Sequence, residues 1–195
     1  MTLKKGSLKV KLAILMVLLI PLFFGFRVNY LIPLTIHFTF WDILLVLFGS
    51  LILLILGYFI IIQAYDKKDL ESMKSHEVVN GFLAHEYTSF LITFSVTMIM
   101  EELIFRFYIL GLLDLFLDFD IAILLGSVIF SLYHIHVWFA FRSYRILGSY
   151  LIFAFLLGLL TGFVYFKLGL MVCILIHFGI VLIIYWKMAR NIYAL

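Results

Sequence analysis

The side chains that could do chemistry in this chain are few, and they stand among residues that cannot. Glu101, Glu102 and Arg106 share one apolar stretch, His134 lies in another and His177 in a third. A charge at the centre of a bilayer costs at least ~2.5–3.5 kcal/mol on insertion scales, so ionisable residues inside apolar spans mark a pathway or a site. Two adjacent carboxylates cost more, and a pair that merely pinned two helices together would need only one of them. At about 100° per residue, Glu102 and Arg106 fall one turn apart on one face, an i,i+4 ion pair. Glu101 lies about 140° around the helix from Arg106 and must find its partner on another helix. A desolvated carboxylate without a nearby cation is suited to take a proton as a general base.

The histidines supply what Glu101 lacks. Counted from the ends of their spans, Glu101, His134 and His177 lie at comparable depth, so they meet if their helices pack together. A lone histidine in a span commonly serves as an interhelical hydrogen-bonding group. Two at similar depth beside paired carboxylates point instead to function. His136 falls about 200° from His134 on a continuous helix and is expected to face elsewhere. Glu101, His134 and His177 would also be the ligands of a divalent metal such as zinc, resembling a His₂Glu set. The local signature H-E-x-x-H is absent, because His85 and Glu86 are followed by Tyr87, Thr88 and Ser89. Cys173 precedes His177 by one turn and reads as a small packing residue rather than a thiol nucleophile. As the only cysteine, it excludes a disulfide framework and a Cys-rich zinc site.

The elements that must position these groups follow from composition. The chain has 195 residues, 66% apolar and 13% charged, with a mean hydropathy of +1.23. An ordinary soluble domain carries roughly 25% charged residues. A soluble globular enzyme, a disordered tail and a basic-patch nucleic-acid module are excluded, so no nucleic-acid partner is expected. Stretches near residues 12–26, 43–62, 87–113, 121–141, 146–166 and 169–186 each approach the ~20 residues a helix needs to cross a bilayer. A backbone in lipid must satisfy its own hydrogen bonds, and the alternation of a membrane barrel is missing. The fold class is therefore all-α: a polytopic membrane protein of about six transmembrane helices, with the bilayer itself as partner. The first stretch contains Pro21 and follows several lysines, like a signal peptide, but no small-residue cleavage site follows it, and it reads as a retained span.

Loop charges test this division. Of the 14 Lys and Arg residues, all but Arg27, Arg106 and Lys167 fall in segments on one side. By the positive-inside rule that side, with both termini, is cytoplasmic. The loop with Asp114, Asp118 and Asp120 then faces outward. Residues 63–86, with Leu70 and Met73 among mixed charges, suit a cytoplasmic loop or a short interfacial helix, the solvated connector being the preferred reading, and 29–40, with Pro33, is expected to lie at the outer interface.

With these residues in hand, the sequence resembles the CPBP intramembrane proteases (CAAX-processing and bacteriocin-processing, also called Abi). The motif E-E-x-x-x-R is Glu101-Glu102-Leu103-Ile104-Phe105-Arg106, and F-x-x-x-H is Phe130-Ser131-Leu132-Tyr133-His134. The third motif, H-x-x-x-N or H-x-x-x-D, begins at His177 but has Val181 in its last place. The resemblance covers about residues 88–186 and implies a four-helix catalytic core in 87–195, preceded in 1–86 by two transmembrane helices and a cytoplasmic loop. It further implies that Glu101 and His134 hold and deprotonate a water, that Glu102 and Arg106 brace the motif beside Phe130, and that His177 stabilises the oxyanion. Val181 offers no hydrogen bond there; Thr161 and Tyr185 are candidate replacements.

The function implied is an intramembrane endopeptidase, a Glu/His-dependent hydrolase with a metalloprotease variant left open, acting on membrane-associated peptides or proteins, in the plasma membrane of a prokaryote. An alternative is a catalytically impaired member of the same family that binds peptides for immunity or regulation, for which Val181 speaks. A small transporter subunit is a third class, against which the E-E-x-x-x-R motif and the deep histidines argue.

Overall fold

The computed structural model describes residues 5–31, 38–85 and 87–194. Lys4, Pro33 and Glu86, used in the sequence reading, lie outside them. Among the described residues every regular element is helical, as a chain with almost no polar surface requires. In order these are α1 Lys5–Phe23, α2 Phe40–Phe59, α3 Lys67–Met73, α4 Glu77–Leu83, α5 Tyr87–Glu102, α6 Gly111–Leu113, α7 Phe119–Tyr133, α8 His136–Phe141, α9 Tyr144–Leu168 and α10 Leu170–Tyr193. Wide π-helical turns prolong α2 over Ile60–Ala64 and join α5 to α6 over Leu103–Leu110.

Four helical stretches are long and apolar enough to cross a membrane: Phe40–Ala64, Phe119–Phe141, Tyr144–Leu168 and Leu170–Tyr193. Their outer faces carry exposed Phe48, Leu125, Ile152 and Leu175. Such surface suits lipid and not water. The protein is an integral membrane protein.

Local sequence writes several of the ends. Thr39 and Asp42 exchange hydrogen bonds in a capping box that starts α2, and Asp66 and Asp69 do the same for α3. Gly169, at φ 85°, turns α9 directly into α10 in a conformation that side chains resist. The α7–α9 seam depends on another glycine. A Cβ at Gly158 would stand 2.9 Å from Ser127 Cβ and 3.0 Å from its Cα, so these two backbones approach as closely as small residues permit.

Two expectations are corrected. Over residues 63–85 the solvated connector gives way to the helical alternative, for α3 and α4 bury Leu70, Met73, Val78 and Val79 in one cluster with Phe90, Ile146 and Met188. Lys67, Lys68, Glu71, Lys74 and Glu77 stay exposed, so the apolar minority of an amphipathic segment decided its packing. The expected continuous helix over 121–141 is interrupted: α7 ends at Tyr133, His134 takes φ −76° and ψ 0°, and α8 restarts at His136.

Ion pairs sort by end. Arg27 binds Asp114 at 3.0 Å and Lys167 approaches Asp42 at 3.9 Å at one end of the bundle. Lys11–Glu77 and Arg145–Asp66 pair at the other.

Candidate active site

The site is built around a carboxylate that is not itself in the cavity. Glu102, at the last turn of α5, is fully buried. Its Oε2 lies 3.3 Å from Arg106 Nε one turn on, and it accepts the Cys173 thiol at 2.7 Å. Its Oε1 is 2.6 Å from His177 Nδ1. A carboxylate paired with Arg106 only accepts, so His177 Nδ1 carries the proton of that bond. Arg106 Nε also donates to Thr161 Oγ1 at 2.9 Å, and Thr161 donates to the carbonyl of Leu157 at 2.7 Å. The guanidinium lies 4.5 Å from the Phe130 ring centroid, a cation–π contact. Glu102, Arg106, Thr161, Cys173 and His177 thus tie α5, α9 and α10 into one buried network, the setting in which removing any partner is costly.

Cys173 does more than pack, since its thiol satisfies part of Glu102. Thr161, a candidate replacement for the missing donor at Val181, is spent on Arg106 and Leu157 and faces this network.

Glu101 goes the other way. Its side chain keeps 12% exposure against 0% for Glu102. It lines a cavity of 370 Å³ together with His134, His136, His177, Tyr150 and Val181. The fixed Nδ1 of His177 turns Nε2 toward Glu101, 4.0 Å from Oε2, a separation that one water can bridge. His134 Nδ1 is 2.9 Å from the carbonyl of Phe130. A carbonyl only accepts, so this nitrogen too holds a proton and Nε2 is left for the cavity. Phe130 stands between the two histidine rings, at 4.9 Å from His134 and 5.8 Å from His177.

The break after α7 brings in a residue that helical geometry had sent elsewhere. The His136 ring lies 5.9 Å from that of His134 and lines the same cavity, because the chain turns at His134 instead of advancing as an α-helix. His76 from the start of α4 and Tyr185 from α10 complete the wall. Tyr185 is a candidate from the sequence, but no spacing points to His76, which comes from a segment far away in the chain. The lining is otherwise mainly apolar, with Phe90, Phe94, Phe153 and Ile184. An apolar chamber with a few converging polar groups is the usual form of a ligand site. Among the described residues, no three His, Cys, Asp or Glu side chains converge as metal ligands do.

These features define a class: a membrane-embedded helical protein in which one of two adjacent carboxylates meets histidines from other helices at an apolar chamber. Residues 83–183 match the family described as "Type II CAAX prenyl endopeptidase Rce1-like", and the chain belongs to this family. The family is one of proteases. No curated protein and no solved structure matches the chain.

Proposed function

We propose that the protein is an intramembrane endopeptidase that cleaves membrane-associated peptides or proteins with a water activated by Glu101 and His134. The observation that carries this reading is the meeting of Glu101, His134 and His177 at one apolar-walled cavity, while Glu102 is withdrawn into an ion pair. Glu101 is the free carboxylate and acts as general base. His134 Nε2 holds the water. As the water oxygen bonds to the scissile carbonyl carbon, its proton passes to Glu101 and the carbonyl oxygen becomes an oxyanion; His177, with its proton held on Nδ1 by Glu102, presents an accepting Nε2 that orients the water beside Glu101. When the C–N bond breaks, Glu101 returns the proton to the leaving nitrogen. Glu102 and Arg106 hold the α5 turn, and Phe130 spaces the rings. In the metal alternative Glu101, His134 and His177 would hold a divalent ion that polarises the water; among the described residues no three such side chains group as ligands do.

The family's description supplies a substrate class, a prenylated CAAX terminus, and the apolar lining suits a lipidated chain. In this reading the core is 87–195, the protein crosses the membrane six times with both termini in the cytoplasm, and the cavity opens to that side. The end-by-end sorting of ion pairs and the loop charges support that topology, and a prokaryotic plasma membrane is the expected setting.

The test uses purified protein in detergent with quenched fluorescent peptides, one ending in a farnesylated CAAX sequence and others unprenylated. Glu101→Gln is isosteric and easier to bury than a carboxylate, so it keeps the melting temperature and abolishes cleavage. A chelator leaves cleavage unchanged. Wild type and Glu101→Gln that are equally inert, yet bind one peptide equally, would establish the second reading. That reading is a catalytically impaired peptide binder, and Val181, an apolar side chain on the cavity wall, is what favours it.

A further inference from the structure

Resting on the peptidase reading, we infer that the Tyr150 hydroxyl is a prealigned hydrogen-bond donor to the oxyanion, doing from α9 what the residue at Val181 cannot do from α10. The argument is one of hydrogen-bond polarity along a chain of three side chains. The backbone N–H of Val78 points at His76 Nδ1 at 3.3 Å. A backbone N–H can only donate, so Nδ1 holds the lone pair and the neutral ring carries its proton on Nε2. Burial holds His76 down to about 4, so the ring is neutral at ordinary pH. His76 Nε2 lies 2.9 Å from the Tyr185 hydroxyl and therefore donates to it.

Tyr185 is buried, and its other partner is the Tyr150 hydroxyl at 2.7 Å. The contact itself permits either donor, and an unpaired hydroxyl proton costs about 1–3 kcal/mol when buried, so the free proton falls to Tyr150, the less buried of the two, and Tyr185 donates to it. Tyr150 has then received its bond, and its own proton is free. Tyr150 lines the cavity, with its ring 6.3 Å from that of His134. The chain from Val78 through His76 and Tyr185 thus ends on one O–H presented to the chamber in which the carbonyl is attacked. A donor held in place before the reaction stabilises developing charge without reorganising. Thr161 cannot serve, being bound to Arg106 and Leu157, and Tyr185 serves by orienting Tyr150.

The experiment measures kcat and KM on the farnesylated quenched peptide for wild type, Tyr150→Phe, Val181→Asn, the double variant and Glu101→Gln. Tyr150→Phe is expected to lower kcat about 10²-fold with KM nearly unchanged, which a loss of folding would not do at an unchanged melting temperature. Val181→Asn should change wild type little and restore most of the lost kcat in the Tyr150→Phe background, because an amide there supplies the donor anew. Tyr150→Phe with wild-type kcat, beside an inactive Glu101→Gln, overturns this inference and leaves the peptidase reading standing. A loss in Tyr150→Phe that Val181→Asn does not relieve also overturns it. Glu101→Gln as active as wild type, or an inert wild type, overturns both.

Discussion

Two adjacent glutamates divide the labour between them because only one can share a helical face with Arg106. Glu102 takes the arginine and is sealed at 0% exposure; Glu101 is left at the cavity, with His177 Nε2 4.0 Å from its Oε2. The division predicts different failures. Glu101→Gln is silent in stability and inactive in catalysis. Arg106→Ala leaves Glu102 buried without its cation, and breaking such a pair costs about 3–5 kcal/mol. The expected outcome is a lower melting temperature and poorer yield in detergent, read before any activity assay. Arg106→Ala with unchanged thermal stability would show that Cys173, Thr161 and His177 hold the network without the ion pair.

At the scale of elements, precision at the site depends on how closely α7 and α9 approach, since His134 caps the end of α7 and α9 carries Tyr150 and Thr161. Gly158→Ala places a methyl against the Ser127 backbone, not against a flexible tip. Overpacking of this kind costs typically about 1–3 kcal/mol, and displacement of His134 should cut cleavage more than it cuts stability. Melting temperature and kcat measured together check this; Gly148→Ala, with open space around its Cβ position, is the control. The short helix α4 has its own sensitivity. His76 is its N-cap, and its folded value of about 4 lies below the ordinary 6.5. Between those values the unfolded chain binds the proton and the folded one does not, so stability is full above about pH 6.5 and declines as pH falls toward 4. Burial is the main cause, and the Lys11 ammonium repels the same proton. Thermal unfolding in detergent across pH 7 to 4 should show this slope, flattened in His76→Asn, whose amide can cap α4 without titrating.

For the whole molecule the question is orientation. Arg27 and Lys167 meet Asp114 and Asp42 at one end, while Lys11 and Arg145 meet Glu77 and Asp66 at the other. In a Cys173→Ser background, which keeps a donor toward Glu102, single cysteines at Lys68, Arg142 or Arg190 should label only from the cytoplasm. A cysteine at Asp118 should label only from outside. Labelling at Asp118 from the cytoplasm would overturn the proposed six-span arrangement and the proposed cytoplasmic mouth of the cavity with it.

What the amino-acid sequence determined by itself is whatever depends on neighbours in the chain. Composition requires helices in lipid, i,i+4 spacing pairs Glu102 with Arg106, and capping residues such as Thr39 and Asp66 start their helices where they stand. That Glu101, His134 and His177 could share a depth was legible from helical rise; that they line one cavity was a matter of packing. The tertiary structure decided the rest. His136 joined the cavity because the chain bends at His134, and no periodicity reports a bend. Residues 63–86 packed because Met73 and Val79 found Phe90 and Met188, partners from other helices. The Cys173 thiol came to donate to Glu102 only when α10 packed on α5, and His76, Tyr185 and Tyr150 became one hydrogen-bonded chain only when α4, α9 and α10 were brought side by side. Hydrogen bonds across 35 and 109 residues of sequence leave no local signal, because their cost and their gain are both settled by which helices touch.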